Sequence, residues 1–341
     1  MSSTPDRRVF VTGMLGFLAL SRHAMAQPPS RVARIGVLAS TPSIAIGSAP
    51  ADPAAQRLAA AFFAGLRDLG YVEGRNFTVE YRYAGGRPER FPVLAAELVG
   101  LNVDVIVANV NRAAIAAQKA TTKIPIVMVI AEDPVGAGLV KSLARPGGNI
   151  TGLVGVVGPE ILGKNLQYMQ MILSAGASIA ILLNPTSPTS PRYLQAIDEA
   201  ARTLGVQVVP IEARTAEESE QAFTMMKHAH VRGVVVSGDP LFYINRHRLS
   251  DRAARSGIAA GWLYREGVEA GGLMSYGANL PDLARRAAGY VDRILRGAKP
   301  GDLAMEQPTT FELVINLKTA KALGLTIPES ILVQADDVID S

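Results

Sequence analysis

Residues 124–152 read IPIVMVIAEDPVGAGLVKSLARPGGNITG, and the reading of the fold starts from this stretch. Its opening run, Ile124 to Ile130, is apolar and β-branched, the composition of a strand buried on both faces of a parallel sheet. The run ends on Glu132-Asp133-Pro134, and open α/β sheets bind their ligands beyond the carboxyl ends of such strands. Leu139, Val140 and Leu143 are spaced for a short helix, which Arg145-Pro146-Gly147-Gly148 interrupts before a second extended run, Asn149 to Val157. The Pro-Gly-Gly break reads as the approach to a crossing between two domains. A dinucleotide role for Gly136 and Gly138 does not fit, because Lys141 stands where the fingerprint needs its third glycine.

Working outward, the same alternation recurs on both sides. Upstream, Val32 to Ala39 reads as a strand, and Asp52 with Pro53 opens a helix whose face is Leu58, Phe62, Leu66 and Leu69. A strand at 77–83, a helix at 88–99, a strand at 103–108 and a helix at 113–120 follow. Downstream of Gly158, strands are expected at 179–183, 206–211, 233–237 and 258–263 with helices between them. A helix at 280–295, a strand at 309–315 and a helix at 317–323 end the chain. Strand–helix alternation run twice predicts an α/β protein with two parallel sheets. Gly-rich breaks at Arg145 to Gly148, Gly271-Gly272 and Gly297 to Gly301 are the three candidate crossings between the lobes.

The chain has 341 residues, 48% of them hydrophobic but only 6% aromatic, a balance that favours α/β layers over an aromatic-rich sandwich. Residues 1–26 read as an export signal: Arg7-Arg8, an uncharged stretch to Ser21, and Ala24-Met25-Ala26 before the cut. The Arg-Arg-Val-Phe-Val sequence resembles a twin-arginine signal. Its removal takes away three basic residues and one acidic residue, leaving 31 against 29. That near-neutral balance, with no basic cluster among aromatics, gives no nucleic-acid surface. Cysteine is absent, which excludes disulfides, thiolate metal sites, cysteine nucleophiles and a lipoprotein anchor. The expected location is therefore the periplasm, without a lipid tether.

No phosphate-binding loop, serine elbow or zinc-protease motif occurs. His228-Ala229-His230 lies at a helix end with no third ligand cluster, where cationic side chains suit the helix dipole. No metal, cofactor or catalytic residue is expected. The candidate site residues are the polar groups at the expected strand exits: Ser40 and Thr41, Asn109 and Asn111, and Asp133 from the first half; Asn184, Ser187, Asp239 and Tyr264 from the second; and Tyr276 at a crossing. Hydroxyls, amides and the N–H groups of the helices that follow suit an anion, while Asp133 or Asp239 suits an ammonium or hydroxyl group. Trp262, two residues from Tyr264, is expected to report a bound solute by its fluorescence.

Several long segments carry a family resemblance: FAGLRDLGYVEG at 63–74, YAGGRP at 83–88, LAAELVGLNVDVIV at 94–107, DPVGAGLVKSLARPGGNITG at 133–152, GGLMSYG at 271–277 and EQPTTFELVINLKTAKALGLTIP at 306–328. In these the chain resembles the ABC-transporter substrate-binding proteins that include tryptophan- and tyrosine-binding members. The resemblance implies a type I periplasmic-binding fold, with two Rossmann-like lobes joined by three crossing segments. One lobe would hold 32–150 and 277–300, the other 151–276 and 301–341. It further implies a monomer that closes by a hinge on a small polar or amino-acid-like solute. The solute would be delivered to an ABC permease and its ATPase, without chemistry. The sequence departs from the family at Asn109-Val110-Asn111-Arg112, where relatives often show a small-residue Gly-Thr-Pro helix start, so an aromatic amino acid is not assumed. The alternatives are an exported hydrolase or isomerase using Asp133 or Asp239, and a binding module that feeds a sensor.

Overall fold

The computed structural model describes residues 32–41, 52–156, 158, 160–173 and 175–340; the expected export signal at 1–26 lies outside them. The first set of apolar runs forms β1 (Ala33–Ala39), β2 (Phe77–Tyr83), β3 (Val105–Ala108), β4 (Ile126–Glu132) and β5 (Ile150–Val156). They make one sheet in the order β2-β1-β3-β4-β5, parallel throughout. Helices α1 (Pro53–Asp68), α2 (Phe91–Gly100) and α3 (Asn111–Ala120) provide the crossovers between the early strands. In β4 the apolar residues from Ile126 to Val129 are fully buried, as a strand covered on both faces must be.

The second sheet contains β6 (Ile179–Leu183), β7 (Val208–Glu212), β8 (Gly233–Val236), β9 (Ala259–Trp262), β10 (Met274–Ala278), β11 (Phe311–Asn316) and β12 (Asp337–Ile339). Its order is β12-β11-β10-β9-β8-β6-β7, and β10 runs antiparallel to β11. Around it lie α4 (Glu160–Ile172), α5 (Ser190–Leu204), α6 (Ala216–His228), α7 (Pro240–Ile244), α8 (Arg246–Ser256) and α9 (Arg265–Glu269). Next come α10 (Leu280–Leu295), α11 (Leu317–Ala322) and α12 (Glu329–Leu332). In each sheet the winding reverses beside the first strand, between β1 and β3 and between β6 and β8. Those reversals open a crevice at the carboxyl ends of the strands, and the two crevices face each other across the cleft.

Helix α10 returns to the first lobe and packs along α1. Gly65 permits the approach: a Cβ there would stand 2.6 Å from the Arg285 carbonyl oxygen and 2.8 Å from the Ala288 Cβ. Asp52 starts α1 as expected, its carboxylate accepting from the Ala54 N–H with Pro53 behind it.

The structure corrects several expectations. The segment around Leu139 to Leu143 is a series of turns, not a helix. Asp133 opens it with a positive φ of 41° and accepts from the Gly136 N–H at 3.0 Å, an Asx-type turn that diverts the chain. The three Gly-rich breaks are not the crossings. Gly147 donates to the Gly301 carbonyl, so the first and third breaks are two turns of the same lobe in contact. Gly271 is part of the turn that leads from α9 into β10. The chain stays in the first sheet through β5, beyond the boundary drawn at 150. Residues 301–306 also remain there rather than joining the second lobe, since Met305 N–H donates to Leu143 and Val154 N–H to Glu306. The chain therefore passes between the sheets after β5, between β10 and α10, and between Glu306 and β11. The sequence misses α9, β10, α12 and β12, each five residues or fewer, too short to carry a periodic signal.

Candidate functional site

The first-lobe wall of the cleft rises from the ends of β1, β3 and β4. Asn109, just past β3, accepts the Ser40 N–H on its side-chain oxygen at 3.3 Å, which ties the two strand exits together. Asn111, at the start of α3, holds the end of β4: its amide donates to the Glu132 carbonyl, and its oxygen accepts the Glu132 N–H at 3.0 Å. This bidentate grip fixes the backbone from which the Glu132 carboxyl enters the cavity. Val110 occupies the N-cap of α3, and valine has no acceptor for the first N–H groups of the helix, which leaves them to a ligand or to solvent.

The second-lobe wall comes from the ends of β6, β8 and β9. Asp239 caps α7, its Oδ1 accepting from the Leu241 N–H at 2.9 Å and from the Asn184 amide at 3.2 Å. Asn184 in turn accepts from Thr186, from its N–H at 3.0 Å and its hydroxyl at 2.8 Å. Tyr264 follows β9, and its ring meets Tyr243 of α7 edge-on with centroids 6.3 Å apart. Between the walls lies a cleft that both lobes line. Its apolar lining includes Leu58, Ile130, Ile244 and Leu280.

Two carboxyls and two phenols set its electrostatics. Desolvation, with the neighbouring Asp239 charge second, pushes Glu132 from 4.5 up to about 7. Burial also raises Asp239, against the pull of the Leu241 N–H, the Asn184 amide and the Arg112 charge. Tyr264 is held well above the phenol range by burial and then by Glu132, so it stays a neutral donor. The hydroxyls of Tyr243 and Tyr264 are buried and have no hydrogen-bond partner among the described residues. Buried polar groups are rarely left so; two of them lining one cavity are two places for a ligand to bond.

Of the ten sequence-derived site residues, seven line this cleft: Ser40, Thr41, Asn109, Asn111, Ser187, Asp239 and Tyr264. Three do not. Asp133 lies in a neighbouring cavity and forms an ion pair with Arg192. Asn184 stands behind Asp239 and lines an adjoining cavity. Tyr276 is within β10, its ring packed between Tyr168 and Phe311, because side chains of that strand point into the second lobe. Trp262, expected near the cleft, packs instead in the second-lobe core, with Gly267 and Gly272 against its ring. The sequence reading placed Glu132 at a strand exit but chose Asp133 beside it, and it missed Arg112 and Tyr243 as lining residues. Strand alternation held the signal for Glu132: adjacent residues point to opposite faces, and Glu132 rather than Asp133 is the one turned to the cleft.

No group of three or more His, Cys, Asp or Glu side chains among the described residues is placed to hold a metal ion. The family model for the ABC transporter substrate binding protein matches residues 43–339. A tyrosine-binding protein of Clostridioides difficile (strain R20291) is 26% identical over 291 residues, covering 83% of this chain and 81% of the relative. Among solved structures, a conserved domain protein from Vibrio cholerae superposes with a TM-score of 0.82 at 28% identity, over 90% of this chain and all of that one. An ABC domain from Streptococcus pneumoniae in complex with L-Trp superposes with a TM-score of 0.80 at 26% identity, with the same coverage.

Proposed function

We propose a function from the premise that the chain belongs to the ABC transporter substrate-binding protein family: it captures an amino-acid-like solute between its lobes in the periplasm and presents it to a membrane permease driven by an ATPase. The observation that carries the ligand class is the pairing of opposite chemistries across one cleft. On the first-lobe side, the start of α3 with Ser40, Thr41 and Asn109 offers N–H and hydroxyl donors for a carboxylate. Glu132 and Asp239 offer acceptors for an ammonium, whose charge would relieve the repulsion between them. The apolar lining and the unpartnered Tyr243 and Tyr264 hydroxyls receive the side chain. Export of the chain as a monomer, by the twin-arginine route, and capture by hinge closure complete the reading.

The enzymatic alternative has less support. Asp133 is engaged with Arg192 outside the cleft, and Asp239, one oxygen of which holds its helix cap and Asn184, has no histidine beside it among the described residues of the cleft lining to share a proton. A thermal-shift screen of residues 27–341 against the amino acids, with L-tyrosine and L-tryptophan among them, tests the reading. A ligand at about 100 times its dissociation constant adds roughly 2.7 kcal/mol to apparent stability. The expected result is a shift for at least one amino acid, with the compound recovered unchanged. No shift across the panel, or turnover of the compound, would sink it.

A further inference from the structure

The cleft continues outward into a second chamber. The two share a throat at Ser40, Val110 and Ile244, flanked by Arg112 and Asp239. Their chemistry differs. The inner chamber is walled by aliphatic and phenolic side chains, with hydroxyls and amides, around Glu132 and Asp239, and Arg112 is the one guanidinium among its described lining residues. The outer one is lined by three guanidinium groups: Arg87 and Arg112 from the first lobe and Arg214 from the second. Arg214 shares its charge with Glu212 and Glu218, at 3.2 and 3.8 Å. Arg112 reaches across the cleft to the Thr186 carbonyl at 3.1 Å and hydroxyl at 2.7 Å, which holds its charge at the throat. Among the described residues the acidic group lining the outer chamber is Asp239, whose Oδ1 is already used by the Leu241 N–H and the Asn184 amide.

The geometry points to an elongated ligand rather than a single amino acid: an amine-bearing apolar body in the inner chamber, a narrow link through the throat, and a terminal anionic group, carboxylate or phosphate, among Arg87, Arg112 and Arg214. Arginine suits that end because its planar fork bonds such anions bidentately. A free amino acid bound in the inner chamber leaves the outer guanidinium groups to solvent. A molecule extended by one residue reaches both. This assignment rests on the proposed solute-binding function and adds the shape and charge of the solute.

Matched probes test it by isothermal titration of the mature protein: L-tyrosine, L-tyrosylglycine, L-tyrosylglycinamide and L-tyrosyl-O-phospho-L-serine. L-tyrosylglycine should bind about tenfold or more tighter than its amide, which has the same length without the charge. The double variant Arg87→Ala/Arg214→Ala, with both side chains exposed, should lose that preference while its unliganded melting temperature and its affinity for the amide stay near those of the parent. The phosphoserine dipeptide separates the two anions: tighter binding than L-tyrosylglycine assigns a phosphate end, weaker binding a carboxylate end. Equal affinity for L-tyrosylglycine and its amide, or a preference that survives the double variant, overturns the inference while binding of L-tyrosine leaves the solute-binding reading standing. If neither the probes nor any amino acid binds, both fall together.

Discussion

Glu132 concentrates the chemistry of the cleft in one side chain. Its carboxyl is half-buried beside Asp239 and titrates near 7 rather than 4.5. In the unfolded chain it loses its proton near the ordinary value, so between about 4.5 and 7 the folded protein binds more protons than the unfolded one. Stability must therefore fall as pH rises through that window, by on the order of 3 kcal/mol when the whole shift is counted. Glu266, raised to about 7 by its own burial, adds a slope of the same sign. Glu132→Gln should remove part of the slope, leaving the Glu266 part, and urea denaturation of parent and variant at pH 5 and pH 8 measures the difference. The same variant should bind an amine-bearing ligand about ten- to a hundredfold more weakly at pH 8, and the parent should lose affinity as pH drops below 7. An unchanged pH slope in the variant would show that Glu132 titrates normally. Residue-scale reading of the sequence reached the right tripeptide, Glu132-Asp133-Pro134, and weighted the wrong carboxylate. The turn chemistry that claims Asp133 depends on Gly136 and Arg192, and the arginine is brought there only by the fold.

Elements were more legible than residues. Every strand of the first sheet stands where the apolar runs place it, to within a few residues, because burial on both faces demands continuous apolar sequence. The failures came where glycine and proline were read as boundaries between lobes. Gly147 and Gly297 adopt φ of 76° and 98° to close turns inside one lobe, and local backbone chemistry does not reveal which lobe a turn belongs to. Close packing was equally silent in the sequence. Nothing in AFFAGLRD distinguishes Gly65 from a tolerated helical glycine, yet α10 crosses α1 directly over it. Gly65→Val should therefore cost about 2 kcal/mol or more, since overpacking outweighs the gain in helix propensity. Scanning calorimetry should show a lower melting temperature. An unchanged or higher one would mean that α10 can move away without penalty.

At the scale of the whole molecule, side-chain contacts among the described residues bridge the lobes around the cleft. Asp52 pairs with Arg246, Arg57 with Glu269, Asp133 with Arg192, and Arg112 bonds to Thr186. Three of them involve exposed groups, where an ion pair contributes at most about 1 kcal/mol. The first is different. The Arg246 side chain is only 4% exposed, lies 4.7 Å from the Tyr243 ring centroid and donates to the Tyr243 carbonyl at 2.9 Å, so it is built into the wall of the cleft. Its carboxylate partner comes from the other lobe, and separating the lobes would expose both charges to water. Asp52→Asn isolates this contact, because asparagine still caps α1 while the counter-charge is lost. A guanidinium left buried without its counter-ion penalises the arrangement in which the lobes meet, and an arrangement that lets water reach Arg246 escapes the penalty. The variant should show a larger radius of gyration than the parent in solution scattering without ligand, and should bind solute about tenfold more weakly. Saturating ligand should return the scattering profile to that of the liganded parent. If radius and affinity both match the parent, the Asp52–Arg246 pair does not hold the lobes together, and the weight passes to the apolar lining that α1, α7 and α10 share.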